Sequence, residues 1–247
     1  MPRYILLHET ASTNTYLKRM ATLLPATTVV YTHSQTAGRG QTGNSWEAEP
    51  GKNITMSMLL KDVAVKPCEQ FYISEAAAVA IASVLNRYSP GFVVKWPNDI
   101  YHHDRKVCGI LIEHLLTGSN IGYSIVGAGI NINQTEFRSD APNPVSLAQI
   151  TRQQHDVEAI MHEVCDEIER LTQFTPASCE VLHRTFLEML YRNDGQPHPF
   201  ALPDGTRFHA SIHSVLPDGT LQLRTPDGTI TGYAFKQVRH VINDTAL

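Results

Sequence analysis

The sequence predicts an α+β fold: a mixed β-sheet with packed helices to about residue 192, then a small all-β unit. Three observations carry that prediction. Apolar runs of strand length alternate with helical segments across residues 1–192. Three Pro-Asp-Gly turns, at 203–205, 217–219 and 226–228, then separate short alternating runs. The chain has 247 residues, 42% of them hydrophobic, enough to bury a core without disulfide or metal staples.

Taken in order, Arg3 to His8 reads as a first strand. Ser12 and Thr13 offer caps for a helix over about Asn14–Leu24, which Pro25 ends. Thr28 to Thr32 is strand-like. A polar segment from His33 to Lys52 follows, long for a connection and marked by Gly38, Gly40, Gly43 and Gly51. Asn53 to Leu60 returns to strand character. Phe71 to Tyr88 is Ala-rich and apolar nearly all round, which predicts a buried helix. Phe92 to Trp96 is an inner strand stopped by Pro97. Lys106–His114 and Tyr123–Asn133 are two further strands, with a turn marked by Pro142 and Pro144. Helices are expected over Val157–Leu171 and Pro176–Leu190, the second capped by Thr175. Beyond Asn193, runs such as Arg207–Val215, Leu221–Leu223 and Gly232–Ile242 form a meander. A closed or nearly closed small barrel would hide its edges.

Charge and composition exclude several classes. Lys plus Arg total 20 against 24 Asp plus Glu, a net charge of −4, which gives no support for broad nucleic-acid affinity. Cys68, Cys108, Cys165 and Cys179 are widely separated and form no CxxC pair, arguing against a disulfide framework or structural zinc. No HExxH or GxSxG occurs. Cys108, in an apolar run, reads as a core residue, and His102-His103-Asp104 as a solvated turn. The N-terminus lacks the apolar run of a signal peptide, and no stretch reaches 18 apolar residues. The expectation is a cytoplasmic protein with no membrane span.

Four segments carry candidate chemistry. In the first, Gly38, Gly40 and Gly43 free the backbone for close approach to a ligand, Arg39 offers a planar donor for phosphate or carboxylate, and Trp46 could stack on a flat ring. The same residues read equally as a flexible loop with a solvated arginine. The second, Lys95-Trp96-Pro97-Asn98-Asp99, ends an apolar strand where ligand crevices form, but also reads as a plain turn. In the third, Lys106 opens a strand whose remainder is apolar: an edge charge, or a donor into a crevice. In the fourth, Gly127-Ala128-Gly129 permits close backbone approach, and Asn131 and Asn133 would share one strand face.

Together with Ser12-Thr13-Asn14 and the run Gly109-Ile110-Leu111-Ile112-Glu113, these segments follow one another in an order that resembles the biotin–protein ligase family over essentially the whole chain. Ser12 comes only eleven residues after the start, as in the short form without an N-terminal helix-turn-helix domain. The resemblance implies a class II aminoacyl-tRNA-synthetase-like catalytic domain at 1–192 and an SH3-like domain at 193–247. It implies that biotin and ATP give biotinyl-5′-adenylate, and that the biotinyl group then passes to a lysine of a biotin carboxyl carrier protein. By the same resemblance, Ser12, Thr13, Asn14 and Gln35 belong to the biotin pocket. Gly38, Arg39 and Gly40 start the loop that closes over it, and Trp46 packs near adenine. Asn98 and Asp99 take the phosphate and Mg²⁺ side, Lys106 reaches the reacting carboxylate, and Gly109, Gly129 and Asn131 complete the ligand-binding set. Arg39, Lys106 and Asp99 are thus the expected catalytic residues.

This chain departs from the family pattern in two ways. Gln41 stands where several bacterial members have arginine, and Ala128 where isoleucine is more usual. A weak homodimer and no specific DNA binding are further expectations. Two other readings compete. Lipoate–protein ligases share the adenylating fold but not the glycine-arginine loop. A noncatalytic biotin-binding module would need a broken phosphate site, whereas Arg39, Asn98, Asp99 and Lys106 are all present.

Overall fold

The computed structural model describes residues 2–41, 44–138 and 143–242. Gly43 and Pro142, used as signals above, lie outside the described residues. Strands β1 (Arg3–Thr10), β2 (Thr28–Gln35), β3 (Ile54–Lys61), β4 (Phe92–Lys95), β5 (Asp99–His102), β6 (Arg105–Thr117) and β7 (Asn120–Ile130) form one mixed sheet. Its order is β1-β2-β3-β7-β6-β5-β4. Only the β1–β2 pair is parallel.

Side-chain alternation gives this sheet two different faces. On one face, Met56, Met58, Val126, Ala128, Ile130, Cys108 and Ile110 join the large core. Helices α2 (Phe71–Tyr88), α4 (Val157–Leu171) and α5 (Pro176–Glu188) cover it. The alanines of α2 let it lie close to the strands. This helix is long and apolar enough to cross a bilayer, but twelve of its eighteen residues are buried in the protein. Burial pushes the Cys108 thiol well up, as fits an inert core residue. On the other face, α1 (Thr13–Met20) packs Leu17 and Ala21 against Val30, Leu59 and Ile125. Ser12 is its N-cap, accepting from the Thr15 N–H at 3.4 Å. Caps also start α4, at Asp156, and α5, at Thr175 with Pro176 behind it.

The second sheet contains β8 (His198–Ala201), β9 (Arg207–Val215), β10 (Leu221–Arg224), β11 (Ile230–Tyr233) and β12 (Arg239–His240), in the order β11-β10-β9-β8-β12. Every pairing is antiparallel, consistent with an SH3-like domain. The three Pro-Asp-Gly turns repeat one device. Gly205, Gly219 and Gly228 have φ of 88°, 91° and 90°. Each aspartate oxygen accepts from the backbone N–H two residues on, at Thr206, Thr220 and Thr229. The middle turn ties the two sheets together. The Trp96 indole N–H donates to the Gly219 carbonyl at 3.0 Å, and Phe71 N–H reaches the Pro217 carbonyl at 3.3 Å.

The fold corrects several expectations. Asp99–His102 is a strand between the two turn readings at 97–99 and 102–104 and was not anticipated; it forms because it pairs on both sides, with β4 and with β6. β2 runs on to Gln35, within the segment expected to be a loop. β7 stops at Ile130, so Asn131 and Asn133 do not share a strand face. Instead their amides donate to the carbonyls of Val145 and His155. The short helix α3 (Leu147–Thr151), strand β8 and a 3-10 turn at Pro67–Glu69 were not anticipated.

Candidate active site

The α1 face of the sheet carries a floor of glycines. Gly109 of β6 and Gly129 of β7 are paired in register. A Cβ on Gly129 would lie 2.2 Å from the Trp46 ring, and one on Gly109 would lie 3.0 Å from it. The indole therefore rests on backbone. Two residues along β7, a Cβ on Gly127 would lie 2.2 Å from Asn14 Oδ1. The close approach expected for a ligand is thus made first by the chain's own side chains. Trp46 is held over the floor by the glycine-arginine segment, with Arg39 and Ser45 bridged and Trp46 N–H on the Gly38 carbonyl at 3.0 Å. A Cβ on Gly38 would lie 2.4 Å from the Trp46 carbonyl oxygen, so this position requires glycine.

A cavity of about 390 Å³ opens beside Trp46. Its first end is neutral and hydrogen-bonded. Thr13 N–H donates to Gln35 Oε1 at 3.0 Å. Ser57 Oγ lies 2.6 Å from Thr13 Oγ1 and 2.5 Å from Asn14 Oδ1. Ser12, Thr13, Asn14 and Ser57 are all buried.

The other end is charged. Lys106 Nζ meets Asp99 Oδ1 at 2.6 Å and stands 5.8 Å from the Trp46 ring. A bulge positions it. The β5–β6 register passes from Ile100↔Cys108 to Tyr101↔Lys106, skipping Val107. Val107 and Cys108 therefore both enter the core, and Lys106 is re-aimed to the cavity. Asn98 donates through Nδ2 to the Ile110 carbonyl at 2.6 Å, which leaves Oδ1 as its acceptor. Lys95 also lines the cavity. Burial pushes its ammonium down, Asp99 opposes that, and Lys106 and Arg192 add to it. Between the two ends, Arg39 Nη2 contacts Glu113 Oε2 at 2.7 Å.

The second sheet and the turn between β11 and β12 supply the far wall, with Phe200, Arg239 and His240 from the sheet and Phe235 from the turn. His240 is buried with neither ring nitrogen partnered among the described residues. Burial, then the charges of Lys95 and Arg192, hold its imidazole well below the usual range.

The model of the Biotin/lipoate A/B protein ligase family matches residues 6–131, which include both ends of this cavity. This chain belongs to that family. The ligase/repressor BirA of Escherichia coli is 36% identical over 135 residues, covering 53% of this chain and 41% of the relative. The biotin–[acetyl-CoA-carboxylase] ligase of Paracoccus denitrificans is 29% identical over 130 residues, covering 52% of this chain and 53% of that protein. The chain thus spans about half or less of these relatives' lengths. Among solved structures, the Aquifex aeolicus biotin protein ligase in complex with biotin and ATP superposes with a TM-score of 0.79 at 24% identity. It covers 98% of this chain and all of that one.

For a member of the biotin/lipoate ligase family, the expected site residues converge well. Ser12, Thr13, Asn14, Gln35, Arg39 and Gly40 line the cavity, as do Trp46, Asn98, Asp99, Lys106, Gly109 and Gly129. Gly38 does not line it; it packs against Trp46 and Gln35, and its carbonyl accepts from the Trp46 N–H. Asn131 does not line it; it is buried, with Oδ1 unpartnered among the described residues. Sequence reasoning missed Ser57, Glu113 and the wall from the second sheet. Ser57 had a readable signal, a serine alternating within an apolar strand. The wall had none, because it depends on how two sheets meet.

Proposed function

We propose that the chain is a biotin–protein ligase that joins the carboxylate of biotin to the α-phosphorus of ATP, releasing pyrophosphate, and then acylates one lysine of a biotin carboxyl carrier protein. The observation that carries this reading is the pairing, in one cavity, of a neutral hydrogen-bonding end with a cationic end. A cyclic urea suits the first, and a carboxylate meeting a phosphate suits the second. In the first step a carboxylate oxygen bonds to the α-phosphorus and the bond to the β-phosphate oxygen breaks. Two anions must meet, and Arg39 and Lys106 offset their repulsion most strongly in the transition state. Trp46 walls the cavity against water and offers a flat face to adenine. In the second step the carrier's amine attacks the acyl carbon, AMP leaves, and the amine loses a proton.

Mg²⁺ fits this site as a one-carboxylate cation completed by phosphates. Among the described residues no group of three His, Cys, Asp or Glu side chains could hold a metal, while Asp99 and Asn98 Oδ1 offer hard oxygens. When bound there it would neutralise phosphate charge. The proposal further comprises the division at residues 192 and 193, a cytoplasmic setting consistent with four free cysteines, a weak homodimer and no operator binding.

The second reading is lipoate attachment, because the matching family covers both acids. Intact-mass analysis of a carrier domain, incubated with the protein, Mg²⁺ and either biotin or lipoate, with and without ATP, separates the two. One biotinyl group added only with ATP is expected. Lipoyl addition instead, or no adduct from folded protein, refutes the proposal.

A further inference from the structure

Glu113, at the end of the Gly109–Glu113 run, has a role that the catalytic scheme does not use. Its Oε2 accepts from Asn14 Nδ2 at 3.0 Å and from Arg39 Nη2 at 2.7 Å, and Oε1 lies 3.5 Å from Lys18. It therefore touches both the neutral end of the cavity and the residue that bridges to the charged end. Burial alone would raise its carboxyl, but the Asn14 hydrogen bond and the charges of Arg39 and Lys18 outweigh that and hold it low. It remains an anion with no proton to give.

Proton counting then fixes every hydrogen bond behind it. Asn14 faces two acceptors, Glu113 Oε2 and the Leu111 carbonyl at 3.2 Å, so that side of its amide must be NH₂. Its Oδ1 is thereby turned to Ser57 Oγ at 2.5 Å, and the serine must donate. Ser57 has one proton, so the 2.6 Å contact with Thr13 Oγ1 must carry the threonine's proton. The 3.5 Å approach of Thr13 Oγ1 to Gln35 Oε1 then holds no proton. Thr13 is left with lone pairs and no donor. Leu111 alone holds the amide by one 3.2 Å hydrogen bond, so without an acceptor at position 113, which Arg39 also keeps oriented, Asn14 can flip and the order behind it is no longer fixed.

We infer that Glu113 is a positioning residue that sets the hydrogen-bond polarity of the pocket, so that Thr13 presents an acceptor and the site selects an acid whose head carries N–H donors. This rests on the proposed ligase reading and names the residue behind its choice of acid. A site built to hydrogen-bond a substrate N–H discriminates strongly against acids that lack it. Biotin has such donors in its ring; lipoate, with a disulfide ring, has none.

The test is competition titration of biotin and lipoate against the full chain and three variants, with thermal melting alongside. Glu113→Ala frees Arg39 for the carboxylate of either acid, so the readout is the biotin-to-lipoate affinity ratio, which should fall by roughly ten- to a hundredfold. Glu113→Gln keeps an oxygen for Asn14 and should restore the ratio to within about threefold of wild type. Ser57→Ala breaks the relay one link further on, away from any charge, and should collapse the ratio as Glu113→Ala does, so the idea stays testable if Glu113→Ala misfolds. An unchanged ratio in Glu113→Ala or Ser57→Ala, or equal weakening of both acids, overturns the inference. A wild-type protein that labels its carrier yet shows that result sinks only the Glu113 role; one that binds no biotin sinks the ligase reading with it.

Discussion

On β7, Val126, Ala128 and Ile130 join the large core, whereas Ile125, Gly127 and Gly129 alternate with them on the face of α1 and the cavity. The same six residues thus hold the protein together on one side and form the floor beneath Asn14 and Trp46 on the other. The core side gains from apolar burial, about 25 cal/mol per Å². The site side gives up side chains, at roughly 0.5–1 kcal/mol for each glycine relative to alanine. Asn14 and Trp46 fill the space released, so the loss is partly returned as packing. Changes on the site face should therefore move chemistry, and changes on the core face should move stability.

The largest effect should come from the charged end. Lys106→Ala removes the cation that the proposed reaction places at the carboxylate and should slow pyrophosphate release about 10²–10³-fold. Melting should stay within about 3 °C, since Lys106 packs little of the core. Near-normal pyrophosphate release would show that Lys106 only neutralises Asp99.

Next come two neighbouring residues on opposite faces. Gly129→Ala should displace Trp46 and cut carrier labelling by roughly 10²-fold, since small misplacements at a reacting centre cost about that much. Ala128→Gly, one residue away, should cost about 1 kcal/mol of stability with labelling nearly intact. If the two variants behave alike in parallel melting and labelling assays, the division of labour between faces is wrong.

The smallest effect belongs wholly to the core face. Glu75, fully buried on α2, pairs with His183 Nδ1 at 2.8 Å. Burial raises the Glu75 carboxyl against the opposing influence of His183, and the Glu75 hydrogen bond raises the His183 imidazole. With both raised, the folded state binds more protons than the unfolded chain. The pair's contribution is therefore present at low pH and is lost as pH climbs from the ordinary glutamate range through the raised imidazole value. Wild type should gain on Glu75→Gln, by about 2 °C in melting temperature, between pH 8 and pH 6. A difference independent of pH, or reversed, would contradict that sign.

Much of this architecture was legible in the chain. α2 announced itself by continuous apolar character and α5 by Thr175-Pro176, because burial and capping are local signals. The Pro-Asp-Gly turns were legible for the same reason. β5 was not: its four residues follow Pro97 and Asn98, and only pairing with β4 and β6 makes them a strand. Most of the candidate site could be named from motif order, including Arg39, Asp99 and Lys106. The glycines at 127 and 129 were read as room for close approach, while the structure fills that room with Asn14 and Trp46. That difference is invisible without the third dimension, as is the bulge that turns Lys106 out of the core.

Two cations of this cavity do not await an anion bare. Lys106 is already seated on Asp99, and Arg39 on Glu113. An incoming anion must displace a carboxylate that the fold holds at high local concentration, so a halide, with a single centre of charge, is a poor competitor. A phosphoryl or carboxylate group with several oxygens can take over each contact as the tethered one is released. The displaced carboxylate stays tethered beside the cavity, so each anion taken in adds its own charge there; added salt should disturb the part-buried Lys106–Asp99 pair less than the Arg39–Glu113 pair, whose arginine is 45% exposed.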